Sequence, residues 1–380
     1  MNKNFSRVVF VSSLICLITS YPILASLWHF DKIWMFDFQG QWALNAYALH
    51  FVDPYPLVGN STPLIEEIGC IPKYFGTTPW GLLLGNFFYP GFLPAEDAAI
   101  YFVALNVIFF FCTALFMARN FPLDKGTILS VTLVAFFANF FVSEHWGNSS
   151  AVTCCLLLIS CLRADSQPIF SGILLSLAMV RPQVALPICF ALLLRKNFKV
   201  LTVAAMIDLT AWEIVALMTE QSPLNLLQEF LSLDTGGRGA FSGLFTLVFP
   251  TNKSLAMLTS MIAGVVFIWL TFKEEKFFWA VPACLATTFF AYSSYSQFFI
   301  LILPALVCLK FAVRAEIFRE KFFWLATVIF MAMAPYSSIV LMKIFFGNTV
   351  LAFLVARTIF AVVIIVLGFL MARHFKWLLQ

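Results

Sequence analysis

The sequence predicts an all-α, polytopic integral membrane protein with about 12 transmembrane helices, in a range of about 10–13. Three observations carry this. Hydrophobic residues make up 62% of the 380-residue chain and charged residues 11%, against roughly 25% charged in soluble domains. Apolar runs recur from end to end with short charged punctuation, and a spanning helix needs about 20 apolar residues. The short alternating segments of a membrane β-barrel do not occur.

The first run, 8–29, follows Lys3 and Arg7. It is longer than a signal-peptide core and no small-x-small cleavage site follows, so it reads as a retained span. The later spans fall at 98–118, 126–143, 148–163, 168–180, 182–194, 199–218, 254–272, 277–292, 297–313, 322–341 and 347–371. The stretch 77–94 is also apolar, but Pro79, Pro90, Gly81, Gly85 and Gly91 interrupt it. It reads as an interfacial or re-entrant helix on the outer side.

Charge placement supports that choice. With both termini cytoplasmic, 16 of the 23 Lys and Arg lie inside; making 77–94 a span would put Arg119, Lys125 and Arg195 to Lys199 outside, against the positive-inside rule. Carboxylates sort the other way, 11 of 19 lying outside. The working face is therefore the outer one, built from loops 30–97 and 219–253. No internal repeat is visible, and 1–380 reads as a single membrane-embedded domain. The net charge of +4 is too small to imply nucleic acid. Of nine cysteines only Cys70 lies in a polar loop, so they read as packing residues rather than a disulfide set.

The first outer loop is the richest in polar groups. Asp37 follows the first span within Met35-Phe36-Asp37-Phe38-Gln39-Gly40-Gln41-Trp42. Beyond it, Trp42, Ala46, Leu49 and Val52 recur at helical spacing with Asn45 and His50 off that stripe, as in a surface helix lying in the headgroup layer. Asp53-Pro54-Tyr55-Pro56 ends it, because prolines cannot continue a helix. Asp37 itself reads either as a reactive carboxylate or as a hydrated loop residue.

Spans five and six are about 13 residues each, roughly 20 Å of helix, and flank Arg181-Pro182-Gln183. They read as a hairpin whose tip lies below the outer surface. Arg181 is then a clamp for a lipid phosphate, or a snorkelling or structurally paired cation. Asp208 and Glu213 in the seventh span and Arg357 in the last read as helix-pinning pairs or as a proton path. The second outer loop carries Arg238 among Gly236, Gly237 and Gly239, either a plain connector or a lid over a sugar site. Glu144-His145-Trp146-Gly147-Asn148 closes the third span. With four histidines and none at i, i+4 spacing, zinc catalysis has no footing, and no metal site is expected.

In their order, "FDFQGQWALNAYALHFVDPYP", "YFGTTPWGLLLGNFFYPGFLPAEDAAIYFVALNVIF", the block from Gly147 to Leu201, and "SSYSQFFILILPAL" resemble glycosyltransferase family 87. The resemblance implies a C-type glycosyltransferase architecture and a polyprenyl-phosphate sugar as donor, mannose being the best-known case. It implies transfer to a lipid or glycan acceptor on the extracytoplasmic face of the cell membrane. The family's catalytic Asp corresponds to Asp37, and its basic residue before Pro-Gln to Arg181. Asp53, Tyr55, His145, Asn148, Gln183 and Arg238 are the further candidates for substrate binding. The family often places His or Asp where this chain has Ser293, Ser294, Tyr295, Ser296 and Gln297, so no role carries over there.

The chemistry suits one carboxylate and one guanidinium. A single base deprotonates the acceptor hydroxyl and a cation receives the departing phosphate, giving inversion. On this reading no cofactor or metal is required, and the partners are the bilayer, the lipid-borne donor and the acceptor, with the chain acting as a monomer. The alternatives are a transporter or flippase of lipid-linked or small solutes, favoured by Asp208, Glu213 and Arg357, and a glycan polymerase or ligase, disfavoured by outer loops that hold one arginine, Arg238.

Overall fold

The computed structural model describes residues 36–57, 77–121, 123–232, 245, 248–249, 252–275, 278–290, 299–332 and 350–374. Among them the secondary structure is entirely helical. The described chain opens with α1 (Phe36–Leu49), a 3-10 turn at Tyr55–Leu57, and the short α2 (Gly81–Leu84), which runs into a 3-10 turn at Gly85–Phe87. The apolar stretch 77–94 is thus broken, as its prolines and glycines predict.

Next come α3 (Ala95–Asn120), α4 (Lys125–Trp146), α5 (Ser150–Arg163), α6 (Pro168–Ala178), α7 (Pro182–Leu194) and α8 (Phe198–Met218). A short α9 (Pro223–Ser232) follows, within the stretch 219–253. The bundle continues with α10 (Lys253–Thr271), α11 (Val281–Phe290), α12 (Ile302–Arg314), α13 (Phe318–Ala332) and α14 (Val350–His374).

Local chemistry explains several boundaries. Glu96 and Asp97 occupy the first turn of α3 and Arg119 its last, each favourable to the helix dipole. Pro168 and Pro182 start α6 and α7 at the one position where a missing N–H costs nothing. Asn252 caps α10, its side chain accepting from the Leu255 N–H at 3.0 Å.

Two of the described helices, α3 and α8, are long and apolar enough to cross a membrane; α5, α6 and α7 are among the shorter apolar helices. The expected first span, 8–29, lies outside the described residues, as does the second half of the span expected at 322–341. An outward row of large apolar side chains runs along α3 (Ile108, Phe111, Leu115), and α8 exposes Met206, Leu209 and Leu217 around the exposed Glu213. A contiguous apolar face like that of α3 is rare on soluble monomers and suits lipid contact. Inside, polar groups satisfy one another: Ser160 and Ser171 join α5 to α6, each hydroxyl donating to the other's carbonyl oxygen at 2.9 Å. Such bonds contribute about 0.6 kcal/mol each within a membrane.

Two expectations are corrected. The helix after Asp37 forms, but it is not a one-sided surface helix. Trp42, Ala43, Ala46 and Tyr47 pack into the main core, while Leu44 and Ala48 join a second cluster with Tyr55, Leu82, Val215, Ala216 and Leu226. Even Asn45, off the apolar stripe, is 1% exposed. The periodicity looked one-sided because one of the two packed faces is built from small and polar residues. Nor is Asp208 held by an ion pair: the Ser176 hydroxyl of α6 donates to its carboxylate at 2.7 Å, and Glu213 is exposed. The Arg357 side chain lies outside the described residues.

The cysteines match expectation where described: Cys112, Cys154, Cys155, Cys161, Cys189, Cys284 and Cys308 are free.

Candidate active site

The hairpin tip between α6 and α7 is the centre of the polar arrangement. Arg181 is the residue before Pro182, where the chain leaves helical geometry, and it sits half-buried at the N-cap of α7. Its Nε donates to the Ser149 hydroxyl at 3.2 Å, and Nη2 lies 3.4 Å from the Tyr89 hydroxyl. Ser149 is itself the N-cap of α5. Two helix N-termini therefore meet at one guanidinium, and both carry partial positive charge. Among the described residues no carboxylate pairs with Arg181; the ion pair present is Arg195 with Asp165.

Tyr89 is the joint of this assembly. Its hydroxyl donates to the Gly147 carbonyl at 3.2 Å and accepts the Ser149 N–H at 2.7 Å. Its ring stacks on Phe102 at 5.4 Å and meets Phe38 edge-on at 5.7 Å. Asn45 of α1 donates to the Tyr89 carbonyl at 3.0 Å, and Trp42 to the Leu93 carbonyl at 3.1 Å. The indole N–H of Trp80 reaches across to the Met179 carbonyl in the hairpin tip at 3.0 Å.

Gly147 closes the other side. It has φ of +66°, and a β-carbon there would lie 2.9 Å from the Phe38 backbone nitrogen. Only glycine meets both demands. The first turn of α1, which contains Asp37, is thereby pressed against the Gly147–Ser149 turn that holds Arg181. The backbone of Asp37 is the second residue of α1; its side chain lies outside the described residues.

The remaining candidates divide. Gln183 is buried in the first turn of α7. Asn148 has a local task, its Oδ1 accepting the Ser150 N–H at 2.9 Å and the Ser150 hydroxyl at the start of α5. His145 ends α4 by its backbone, with its side chain outside the described residues; Arg238 and the Ser293–Gln297 motif also lie outside them.

Asp53 and Tyr55 belong to a separate arrangement. Asp53 Oδ1 accepts the Tyr55 N–H at 3.0 Å, an Asx turn that fixes the Asp-Pro-Tyr-Pro corner. The Tyr55 hydroxyl donates to the Thr77 carbonyl at 2.6 Å, and its ring lies 6.2 Å from Phe230 of α9. Burial, and then the charges of Asp53 and Glu229, push the Tyr55 phenol well above its ordinary range. Glu229 of α9 is pushed up to about 7 by its hydrogen bond with Asp53, by burial and by the Asp53 charge. Asp53 Oδ2 and Glu229 Oε2 are buried without another hydrogen-bond partner, and the nearby Asp53 carboxyl favours the protonated form of Glu229. This pair joins α9 to the Asp53–Tyr55 corner.

Sequence reasoning missed Tyr89, Ser149 and Glu229. Tyr89 sits in "NFFYPGF", where it reads as one more interfacial aromatic, and nothing in Glu229 names Asp53 as its partner.

Residues 78–334 match the family model described as Glycosyltransferase family 87. Asp37 precedes the matched region, while Tyr89, Ser149, Arg181 and Glu229 fall within it. Neither the curated proteins nor the solved structures contain a match to the chain.

Proposed function

The chain belongs to glycosyltransferase family 87, and from that premise of a membrane glycosyltransferase we propose that it moves a hexose from a polyprenyl-phosphate donor to a lipid or glycan acceptor at the extracytoplasmic face. Mannose is the sugar to try first. The observation that carries this reading is Arg181: a half-buried guanidinium at two helix N-termini, oriented by two hydroxyls and free of any carboxylate among the described residues. Such a group suits an anion that arrives with the substrate, and Arg meets phosphate with a planar fork of donors.

The reaction needs little else. The Asp37 carboxylate takes the proton from the acceptor hydroxyl, and the resulting oxygen attacks the anomeric carbon. The bond from that carbon to the phosphate oxygen breaks, and its electron pair leaves with the polyprenyl phosphate, whose added charge Arg181 receives. One base and one displacement give inversion. The packing of the Asp37 turn against Gly147 supports this division of labour, because it brings the backbone of the base next to the loop that orients the guanidinium.

The test is incubation of the purified full chain with a panel of polyprenyl-phosphate sugars and membrane lipid extract. Mass spectrometry then follows new sugar-bearing products. Asp37→Asn should fold normally and lose transfer by about a thousandfold or more, as removal of a general base entails. Turnover at the wild-type rate in that variant would sink the assignment.

A further inference from the structure

On α1, Gln41 and Asn45 stand one turn apart, and each keeps one polar atom buried without a partner, Gln41 Nε2 and Asn45 Oδ1. Their other amide atoms are committed: Gln41 Oε1 accepts from the Thr77 hydroxyl, and Asn45 Nδ2 donates to Tyr89 O at 3.0 Å. The directions of the open atoms are therefore fixed. Thr78 Oγ1 is likewise buried and unpartnered. All three side chains are at most 3% exposed.

Glycines pack directly against two of these side chains. A β-carbon at Gly81 would fall 2.7 Å from Thr78 Oγ1, and one at Gly85 3.0 Å from Asn45 Nδ2 and 3.1 Å from its Oδ1. A side chain at either position would be driven against those atoms. Native proteins leave few buried polar groups unpaired, because each loses its water without compensation. Two on α1 and a third in the turn before α2 call for partners that arrive and leave. In backbone register the row begins at Asp37, since positions 37, 41 and 45 follow one another at helical i, i+4 spacing.

We propose that Gln41, Asn45 and Thr78 form a carbohydrate subsite that reads the hydroxyl edge of a pyranose. The chemistry of the set selects that class. It offers an amide donor, an amide acceptor and a hydroxyl that does both, with no charge of either sign. Vicinal sugar hydroxyls are neutral and alternate donor with acceptor; an anion would want Arg181 and a metal ion would want carboxylates. The subsite rests on the transferase reading for its place beside Asp37, though not for its chemistry. The hydroxyls come from the donor sugar or from the acceptor sugar.

Thr78→Val tests it in the full chain held in lipid nanodiscs. An unpartnered buried hydroxyl replaced by a methyl group should leave the melting temperature unchanged or raise it. Affinity for one of two probes should fall about three- to tenfold, the loss of one hydrogen bond. The probes are a C15 polyprenyl-phosphate hexose, which stands for the donor, and an octyl hexoside, which stands for the acceptor; the one affected identifies the source. Discrimination between that probe and its monodeoxy analogues should collapse, and Thr78→Ser should restore it.

A lower melting temperature with both affinities and both discriminations intact would assign the hydroxyl to a structural water and overturn the subsite. So would a wild-type chain that binds neither probe. Transfer is scored separately: sugar transfer with unaltered Thr78→Val affinities removes the subsite and keeps the transferase, whereas hydroxyl-dependent binding without any glycosidic product does the reverse.

Discussion

Two arginines stand at opposite ends of α7 and live by different rules. Arg195, at the C-cap, bonds Asp165 at 2.7 Å and lies over the Trp279 ring at 5.1 Å. The helix C-terminus adds favourable negative potential. Arg181, at the N-cap, faces the unfavourable end of the dipole and is held by two neutral hydroxyls. The first is a cation with its counter-charge built in. The second is a cation for which the described residues supply no counter-charge, and on the proposed reading the donor phosphate brings it. A structural arginine and a working one thus differ less in burial than in whether the fold supplies the anion.

Breaking each arginine should separate the two roles. Arg181→Ala should reduce kcat/KM by about a hundred- to a thousandfold, the scale for losing one preorganised group that receives developing negative charge. Its melting temperature should change little, because no built-in ion pair is lost. Arg195→Ala should do the opposite: about 1 kcal/mol of stability lost with the exposed ion pair and the aromatic contact, and transfer per folded molecule unaltered. Equal loss of transfer in both variants would end the distinction.

Tyr89→Phe comes next. It leaves Arg181 with the Ser149 hydroxyl alone and strips the Gly147 carbonyl and Ser149 N–H of a shared partner. Transfer should drop about tenfold in kcat per folded molecule, together with a modest fall in melting temperature. If Tyr89 were only structural, the melting temperature would fall while kcat at saturating donor stayed at the wild-type value.

Those predictions rest on features that were unequally legible in the sequence. The hairpin and its arginine were readable, because two short apolar runs around Arg-Pro-Gln leave few other geometries and Pro182 fixes where α7 begins. The helix after Asp37 was readable as a helix. Its environment was not, since a packed face made of Gln41, Leu44, Asn45 and Ala48 carries little hydrophobic signature. Tyr89 was hidden by company: its value lies in a hydroxyl that meets residues 58 and 60 positions away, and local pattern carries no such information. Glu229 and Asp53 are separated in the same way.

That carboxyl pair is the mirror image of Arg181 and gives the finest test of the comparison. Among the described residues it has no cation, just as Arg181 has no carboxylate, and the fold resolves the conflict by keeping a proton on Glu229. The ordinary value of 4.5 rises to about 7. Below 4.5 the group is protonated whether the chain is folded or not. Between 4.5 and about 7 the folded chain holds a proton that the unfolded chain has released, so stability falls as the pH rises through that window, and the slope ends above it. Glu229 is partly exposed and solvent screens the effect, so the change in melting temperature should be on the order of 1 °C. Glu229→Gln carries a permanent donor toward Asp53 and should flatten this dependence. A pH slope identical to wild type in that variant would mean that the proton between α9 and the Asp53–Tyr55 corner resides elsewhere.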